Sequence, residues 1–334
     1  MNKNQHHTHS SNTKWFILAL GFFTNALVVA VPGIGLSVLL PAISQDMNLD
    51  VVQAGLAWGI ASFLGIFAFL LAGLAIDRFG PRTILILTCL LAGGLGAARG
   101  LSNTFSVLMA TIALSGFFNP FITMSNVKNT RLWFSNEHIG LANGVLSMGM
   151  AVGFFAGSMV SASFIAPWVG GWRNTFLLYG LIGVLFALPW LLTPGGPRTK
   201  PQLEPTFSEP DAGSSIQQIA RIRNIWLLGL GLLCFGGAIQ GFLGYIPLYL
   251  RSLGWPALRA DGLASSFHLA SLIFTIPLAL LSDRLRSRKG IAIAAVSLSA
   301  TGILLFAVLQ GDALWGAVIA AGLARDGIMA ILIT

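Results

Sequence analysis

From residue 15 onward the chain is a succession of apolar runs, each about as long as a bilayer core is thick. A helix needs about 20 apolar residues to cross the hydrocarbon. Runs of that kind lie near 15–43, 52–75, 83–102, 105–127, 139–165, 173–192, 224–250, 260–281, 290–309 and 313–334. Inside a bilayer every backbone N–H and C=O must be satisfied within the segment, so such runs fold as helices. The predicted fold class is therefore all-α, a polytopic membrane bundle of about ten spans. Composition agrees: 55% of the 334 residues are hydrophobic and only 9% charged, against about 25% charged in soluble domains.

The formal net charge of +8 does not point to nucleic acid. Its basic residues sit in short loops between apolar runs and form no stripe on a folded surface. Their distribution predicts orientation instead. Fourteen of the nineteen Lys and Arg residues fall on the side of the N-terminus, including Lys3, Lys14, Arg78, Arg82, Lys128, Arg131, Arg284, Arg288 and Lys289. Four, Arg99, Arg173, Arg251 and Arg259, fall on the other side, and Arg325 lies within a span. The expected protein is a multi-pass plasma (inner) membrane protein with a cytoplasmic N-terminus.

The start is no cleavable leader, because the first fourteen residues are polar and the following run is too long for a signal core. His6, His7 and His9 in that tail read as disordered polar chain rather than a metal site. Cys89 and Cys234 both lie in apolar runs and read as packed thiols. The stretch 193–223 holds five prolines, at 194, 197, 201, 205 and 210, and breaks the apolar pattern. It reads as a cytoplasmic linker, with a short surface helix expected near 214–223. The resulting division is a polar cytoplasmic tail at 1–14, a six-helix bundle at 15–192, the linker at 193–223, and an incomplete C-terminal bundle at 224–334.

A short charged turn recurs between spans. The first copy is Gly73-Leu-Ala-Ile-Asp77-Arg78-Phe-Gly80-Pro-Arg82, and the second is Ala279-Leu-Leu-Ser-Asp283-Arg284-Leu-Arg286-Ser-Arg288-Lys289. Repetition of this kind suggests two pseudo-repeated halves. The first copy resembles the loop between helices 2 and 3 of the major facilitator superfamily, Gly-x-x-x-Asp-Arg-x-Gly-x-Arg-Arg, with Thr83 at the last position. The second keeps Asp, Arg and the basic pair but loses both glycines. The segment from Trp133-Phe134 through Glu137, Gly140, Ala142 and Gly144 is similar to the superfamily's connector between helices 4 and 5. The resemblance covers residues 15–334. The superfamily's plan is six helices plus six, so with six plus about four the last two helices are expected to be missing beyond Thr334.

The resemblance implies roles for the repeated turn. In the family it is a latch between halves, which carries over to Gly73, Asp77, Arg78, Gly80, Arg82, Asp283, Arg284 and Arg288; the alternative is a basic loop that only sets topology. Gly73 and Gly80 suit close approach or a sharp turn. The family's first latch involves helix 11, so Asp77 is expected to have lost a partner that Asp283 keeps. Asp77→Asn should then disturb thermal stability less than Asp283→Asn.

Other polar residues inside spans are candidates for the solute path. Ser115, Asn119, Thr123 and Asn126 are spaced by four, four and three and share one helix face beside Pro120. Facing lipid would be costly, so the stripe should face the interior or a water-filled path. In the family, helices 1, 4, 7 and 10 contribute most to the central cavity. That makes Asn25, Asn119, Thr123 and Gln240 substrate-binding candidates, with interhelical packing amides as the alternative. His268 either relays a proton or is a hydrogen-bonded structural residue. Gly149, Gly153 and Gly157, spaced by four, form a helix-packing stripe. It is similar to the glycine-rich helix-5 motif of drug/proton antiporters, but Phe154 stands where that motif wants proline.

Arg325 and Asp326 lie roughly 20 Å into a core of about 30 Å, reckoned from Asp312. Arg325 is read as the one clear cation deep in the bundle, suited to an anionic substrate, with Asp326 or His268 as proton-coupling candidates. The expected function is movement of a small solute, an organic anion by this reasoning, by alternating access, either secondary active or facilitative. The alternative is a non-transporting fragment or regulatory membrane partner. No metal-ligand cluster, nucleophile motif, phosphate-cradling loop or ATPase motif is seen, so neither enzyme nor primary pump is expected. No cofactor is implied. Membrane lipids and a small solute are the expected partners of a monomer.

Overall fold

In the computed structural model, each apolar run of the sequence coincides with a helix over its described residues. The structure describes residues 11–134, 138–194, 221–285, 288–323 and 325. Ten helices follow in order: α1 (Thr13–Met47), α2 (Val51–Phe79), α3 (Pro81–Gly100), α4 (Phe105–Trp133), α5 (Ile139–Val169), α6 (Trp172–Leu192), α7 (Arg223–Ser252), α8 (Ala257–Leu285), α9 (Arg288–Val308) and α10 (Ala313–Gly322). Most described ends lie within about a turn of those of the apolar runs, and α4 continues past 127 to Trp133; polar residues at a span's ends reach the interface and carry the helix past the hydrocarbon. The helix containing α1 begins at Ser11, inside the stretch expected to be tail.

Eight of these helices are long and apolar enough to cross a membrane by length and composition. The exceptions to the ten expected spans are α10, described for ten residues, and α8. The α8 sequence carries Arg259, Asp261, His268 and four serines, and several of these face another helix rather than lipid. His6, His7, His9, the linker from 195 to 220 and Asp326 lie outside the described residues.

Two bundles arise because small residues let backbones meet. In the first, α5 lies along α1: a Cβ on Gly149, Gly153 or Gly157 would come within 2.5, 2.6 or 2.7 Å of Phe22, Ala26 or Ile34. The glycine stripe is thus a packing surface. Gly93 of α3 meets Gly180 and Gly183 of α6 in the same way. Trp190 closes this bundle, donating from its indole N–H to Thr24 Oγ1 at 3.0 Å. Cys89 is buried there, as expected, whereas Cys234 is exposed on the outer face of α7, where a thiol meets lipid as readily as protein.

The turn between α2 and α3 is built by Gly80, whose φ of 81° suits a residue without a Cβ. Gly73 does not make the close approach expected of it; a Cβ there would only touch Met124 at 3.9 Å. Asp77 pairs with Lys128 of α4, and Arg82 donates to the carbonyls of Trp190 and Leu191 at 3.2 and 2.7 Å, capping the C-terminal end of α6. Arg78 stacks its guanidinium 5.4 Å from the Phe79 ring. These contacts all stay within the first half. Asp283 and Arg284 occupy the last turn of α8 and Arg288 the first of α9, the positions that Asp77, Arg78 and Arg82 hold at the α2–α3 junction. Their side chains lie outside the described set.

The halves meet through one large buried cluster. It joins Leu36, Leu39 and Ile43 of α1, Trp58 of α2 and Phe176 of α6 to Leu243, Ile246 and Leu250 of α7 and Leu263 and Phe267 of α8. This seam lies toward the end of the bundle that carries Asp46 and Asp312.

A cavity between the halves

Hydrogen bonds across the seam cluster toward that same end. Ser37 donates to the Leu243 carbonyl at 2.6 Å, and the Trp58 indole to the Gln240 carbonyl at 2.7 Å. Tyr245 donates to the Val51 carbonyl at 3.2 Å, and Ser163 to Asp261 at 2.5 Å. Asp261 is fully buried, and Arg251 holds its other oxygen at 3.2 Å. The opposite side of the seam leaves a cavity of about 460 Å³. Its wall runs from Arg99 to Phe69 and Thr123, each some 27 Å along its helix from the Asp46 end at 1.5 Å per residue.

Both halves line it. From the first come Pro32 and Gly33, Trp58 and Ser62, Arg99, and the α4 face of Ser115, Asn119 and Thr123; Phe154 adds an aromatic plane from α5. The second contributes Gln240, Leu243, His268 and Arg325. The α4 stripe therefore faces the interior, as the cost of polar groups in lipid predicts. Asn126, its last member, is buried and donates to Asn25 Oδ1 at 2.7 Å. Asn25 in turn donates to the Leu146 carbonyl at 3.1 Å. This pair ties α1 to α4 and α5, and Asn25 lies outside the cavity wall because its amide is spent on helix packing.

His268 and Arg325 form one unit. Arg325 Nη1 lies 3.3 Å from His268 Nδ1. A guanidinium has only donors, so Nδ1 accepts and the imidazole proton sits on Nε2. The His268 ring stacks on Phe154 with centroids 5.4 Å apart and planes at 21°. The Arg325 guanidinium lies 5.1 Å from the same ring. A cation from the second half and an aromatic face from the first thus meet at His268 on the cavity wall, while the ring's Nε2 is buried.

Arg99 is the residue that sequence reasoning placed elsewhere. The charge count put it on the outer side of the membrane, at the end of the run 83–102, but it is 5% exposed and turned inward. Nη2 donates to Ser115 Oγ at 2.5 Å, and the guanidinium lies 4.9 Å from the Phe176 ring. Arg325 is therefore not the sole cation deep in the bundle. The available signal was local: Gly100 beside Arg99 packs on α6 so closely that a Cβ there would come within 2.3 Å of the Arg173 carbonyl, whereas at Gly96 it would be in ordinary contact with Gly180 at 3.5 Å. Asp261 was likewise passed over, although it is an acid within the run at 260–281.

A profile of the Major Facilitator Superfamily matches residues 18–334. The probable nitrate/nitrite transporter NarK2 of Mycobacterium tuberculosis is 25% identical over 276 residues, 79% of this chain and 65% of its own. The probable galactarate/D-glucarate transporter GudP of Bacillus subtilis is 24% identical over 285 residues, 76% of this chain and 61% of its own. The probable sulfoacetate transporter SauU of Cupriavidus necator is 22% identical over 275 residues, 79% of this chain and 64% of its own. The chain spans less than two thirds of the length of these relatives. Each of them is named as a transporter, in line with the reading that the chain is not an enzyme. Among solved structures, a bacterial homolog of the human lysosomal transporter Spinster shares the fold with a TM-score of 0.75 at 17% identity, over 96% of this chain and 74% of that one. The nucleoside transporter NupG does so with a TM-score of 0.77 at 15% identity, over 96% and 81%. The cavity between two helical bundles, the repeated charged turn and the match from residue 18 to 334 lead to one conclusion: this multi-pass membrane protein belongs to the Major Facilitator Superfamily.

Proposed function

We propose that the chain moves a small anion across the plasma (inner) membrane by alternating access, as a monomer with its N-terminus in the cytoplasm. The observation that carries this reading is the cavity shared by both halves, with the Arg325–His268 unit on its wall. A guanidinium in a low-dielectric cavity attracts an anion far more strongly than it would in water. The names of the relatives support the class: nitrate, galactarate and sulfoacetate are all anions. With the N-terminus inside, the Asp46 end faces outward, and the seam of Ser37, Trp58, Tyr245 and Ser163 closes the outer entrance. Opening requires that seam to part while the Asp77 end closes. The turns at Asp77 and Asp283, with Gly73, Gly80, Arg78, Arg82, Arg284 and Arg288, are the elements we assign to latching that second state. Asn119, Thr123 and Gln240 would supply polar contacts to the rest of the solute. His268 orients Arg325, and with Asp326 it is the candidate for proton coupling.

Uptake by purified protein in liposomes tests the reading, with labelled nitrate, galactarate and sulfoacetate set against neutral and cationic solutes. Saturable uptake of at least one anion, lost in Arg325→Gln, is expected. Absence of uptake of every anion by folded protein would overturn it in favour of a non-transporting membrane partner.

A further inference from the structure

Arg99 sits on the first half's side of the cavity, with a donor that no described residue satisfies. Its Nε is buried and has no acceptor. Ser115, its one hydrogen-bond partner among the described residues, is a full hydroxyl: it accepts from Arg99 Nη2 at 2.5 Å and donates to the Ile112 carbonyl at 3.0 Å. The Phe176 ring covers one face of the guanidinium at 4.9 Å but carries no charge. A buried charge is costly unless it is paired. The acids with described side chains are engaged elsewhere. Asp46 pairs with Arg173, Asp77 with Lys128, Asp261 with Arg251 and Asp312 with Arg259, while Asp50 caps α2 by accepting from the Gln53 N–H.

We infer that Arg99 is a seat for the substrate's acid group, and that the ligand it takes is a planar oxyanion, either a carboxylate or nitrate. The chemistry fits the gap. A guanidinium presents its donors as a flat fork, and a planar oxyanion offers two coplanar acceptors to match. Nε and Nη2 share one edge of the guanidinium; Nε is buried and Nη2 is on Ser115, so an oxyanion that takes this edge displaces the hydroxyl as the side chain shifts to meet it. Phe176 behind the guanidinium restricts its plane before the ligand arrives, which lowers the ordering cost of binding. Arg99 and Ser115 belong to the first half, whereas Arg325 and His268 belong to the second. A solute seated on Arg99 and reaching the other wall therefore contacts both bundles, and its occupancy acts on their relative position. This rests on the proposed transport role of the cavity.

The test is thermal unfolding of the purified chain titrated with sodium nitrate, succinate and galactarate at constant ionic strength, for wild type, Arg99→Gln, Arg99→Lys and Arg325→Gln. Wild type should be stabilised by at least one anion. Arg99→Gln should raise the apparent Kd at least tenfold, and Arg99→Lys, which keeps the charge but loses the planar fork, by a smaller factor. Nitrate as the effective titrant would identify an inorganic ligand, and the dicarboxylates an organic one; either supports the seat. Unchanged affinity in Arg99→Gln, with Arg325→Gln impaired, would overturn this inference while leaving the transport reading intact. Should Arg99→Gln fail to fold, an unchanged Kd in Arg99→Lys would overturn it equally. Wild-type protein stabilised by none of the anions would contradict the anion reading of the whole cavity.

Discussion

Asp261 of α8 accepts a hydrogen bond from Ser163 of α5 at 2.5 Å, and this contact crosses between the two bundles. Arg251, on the neighbouring α7, pairs with the same carboxylate from within its own half. The charge is thus neutralised in one bundle and recognised by the other. Asp261→Asn leaves Arg251 without its counter-charge, and breaking a buried pair from one side costs roughly 3 kcal/mol. Ser163→Ala removes only the crossing bond, worth about 1.5–3 kcal/mol for a charged acceptor. Both should lower the unfolding midpoint, and Ser163→Ala should also make the outer face of the seam more reactive. A cysteine at Ser37, labelled from outside with a membrane-impermeant thiol reagent, checks this; equal labelling in the presence and absence of Ser163 would count against a gate there.

The α1–α5 contact predicts a sharp positional contrast. A valine at Gly153 would force its Cβ to within 2.6 Å of the Ala26 carbonyl and 2.7 Å of Ala30. Overpacking of this kind costs about 1–3 kcal/mol or more. Gly144 lies on the same helix with nothing within 4 Å of an added Cβ. Gly144→Ala should be neutral or slightly stabilising, because alanine also favours the helix. Circular dichroism melts of the two variants in detergent decide the matter.

The charged turn divides into a backbone part and a charge part. Asp77 and Lys128 are exposed, at 64% and 43%, and exposed pairs contribute about 0–1 kcal/mol. Asp77→Asn should therefore change stability little, and less still at high salt. Gly80 holds φ 81° and ψ 151°, a region essentially reserved for glycine, where a side chain is strained by roughly 1–3 kcal/mol. Gly80→Ala should lower the melting temperature more than Asp77→Asn. The reverse order would show that the turn is held by its ion pair rather than by its backbone.

The parts of this protein that were legible in its sequence are those imposed by the bilayer. Runs of twenty apolar residues have no other stable form, so most helix ends among the described residues were foreseen within about a turn, α4 running past its expected end at 127 to Trp133. The α4 stripe of Ser115, Asn119 and Thr123 was assigned to the interior because hydrogen-bonding groups are costly in lipid, and it lines the cavity. The spacing of Gly149, Gly153 and Gly157 announced a close helix contact without naming α1 as the partner. What failed depended on where a side chain turns or what it meets far along the chain. Arg99 stands at the end of a span, where an arginine ordinarily reaches outward to the interface; here Ser115 and Phe176 draw it inward. Asn25 looked as suited to a solute as Asn119, and only the fold shows Asn126 and Leu146 claiming its amide. Asp261 finds Ser163 98 residues away, beyond any local pattern.

The central claim is that the cavity opens to the two faces of the membrane in turn. It is tested most directly with a single cysteine at Asn119, on the cavity wall, in protein whose Cys89 and Cys234 have been replaced. Membrane-impermeant thiol reagent is applied from either side of oriented vesicles. Reaction from the cytoplasmic side alone is predicted while the Asp46-end seam is intact, and reaction from the outside once Ser163→Ala and Asp261→Asn have loosened it. Reaction from both sides at once in the intact protein, or from neither under any condition, would contradict alternating access.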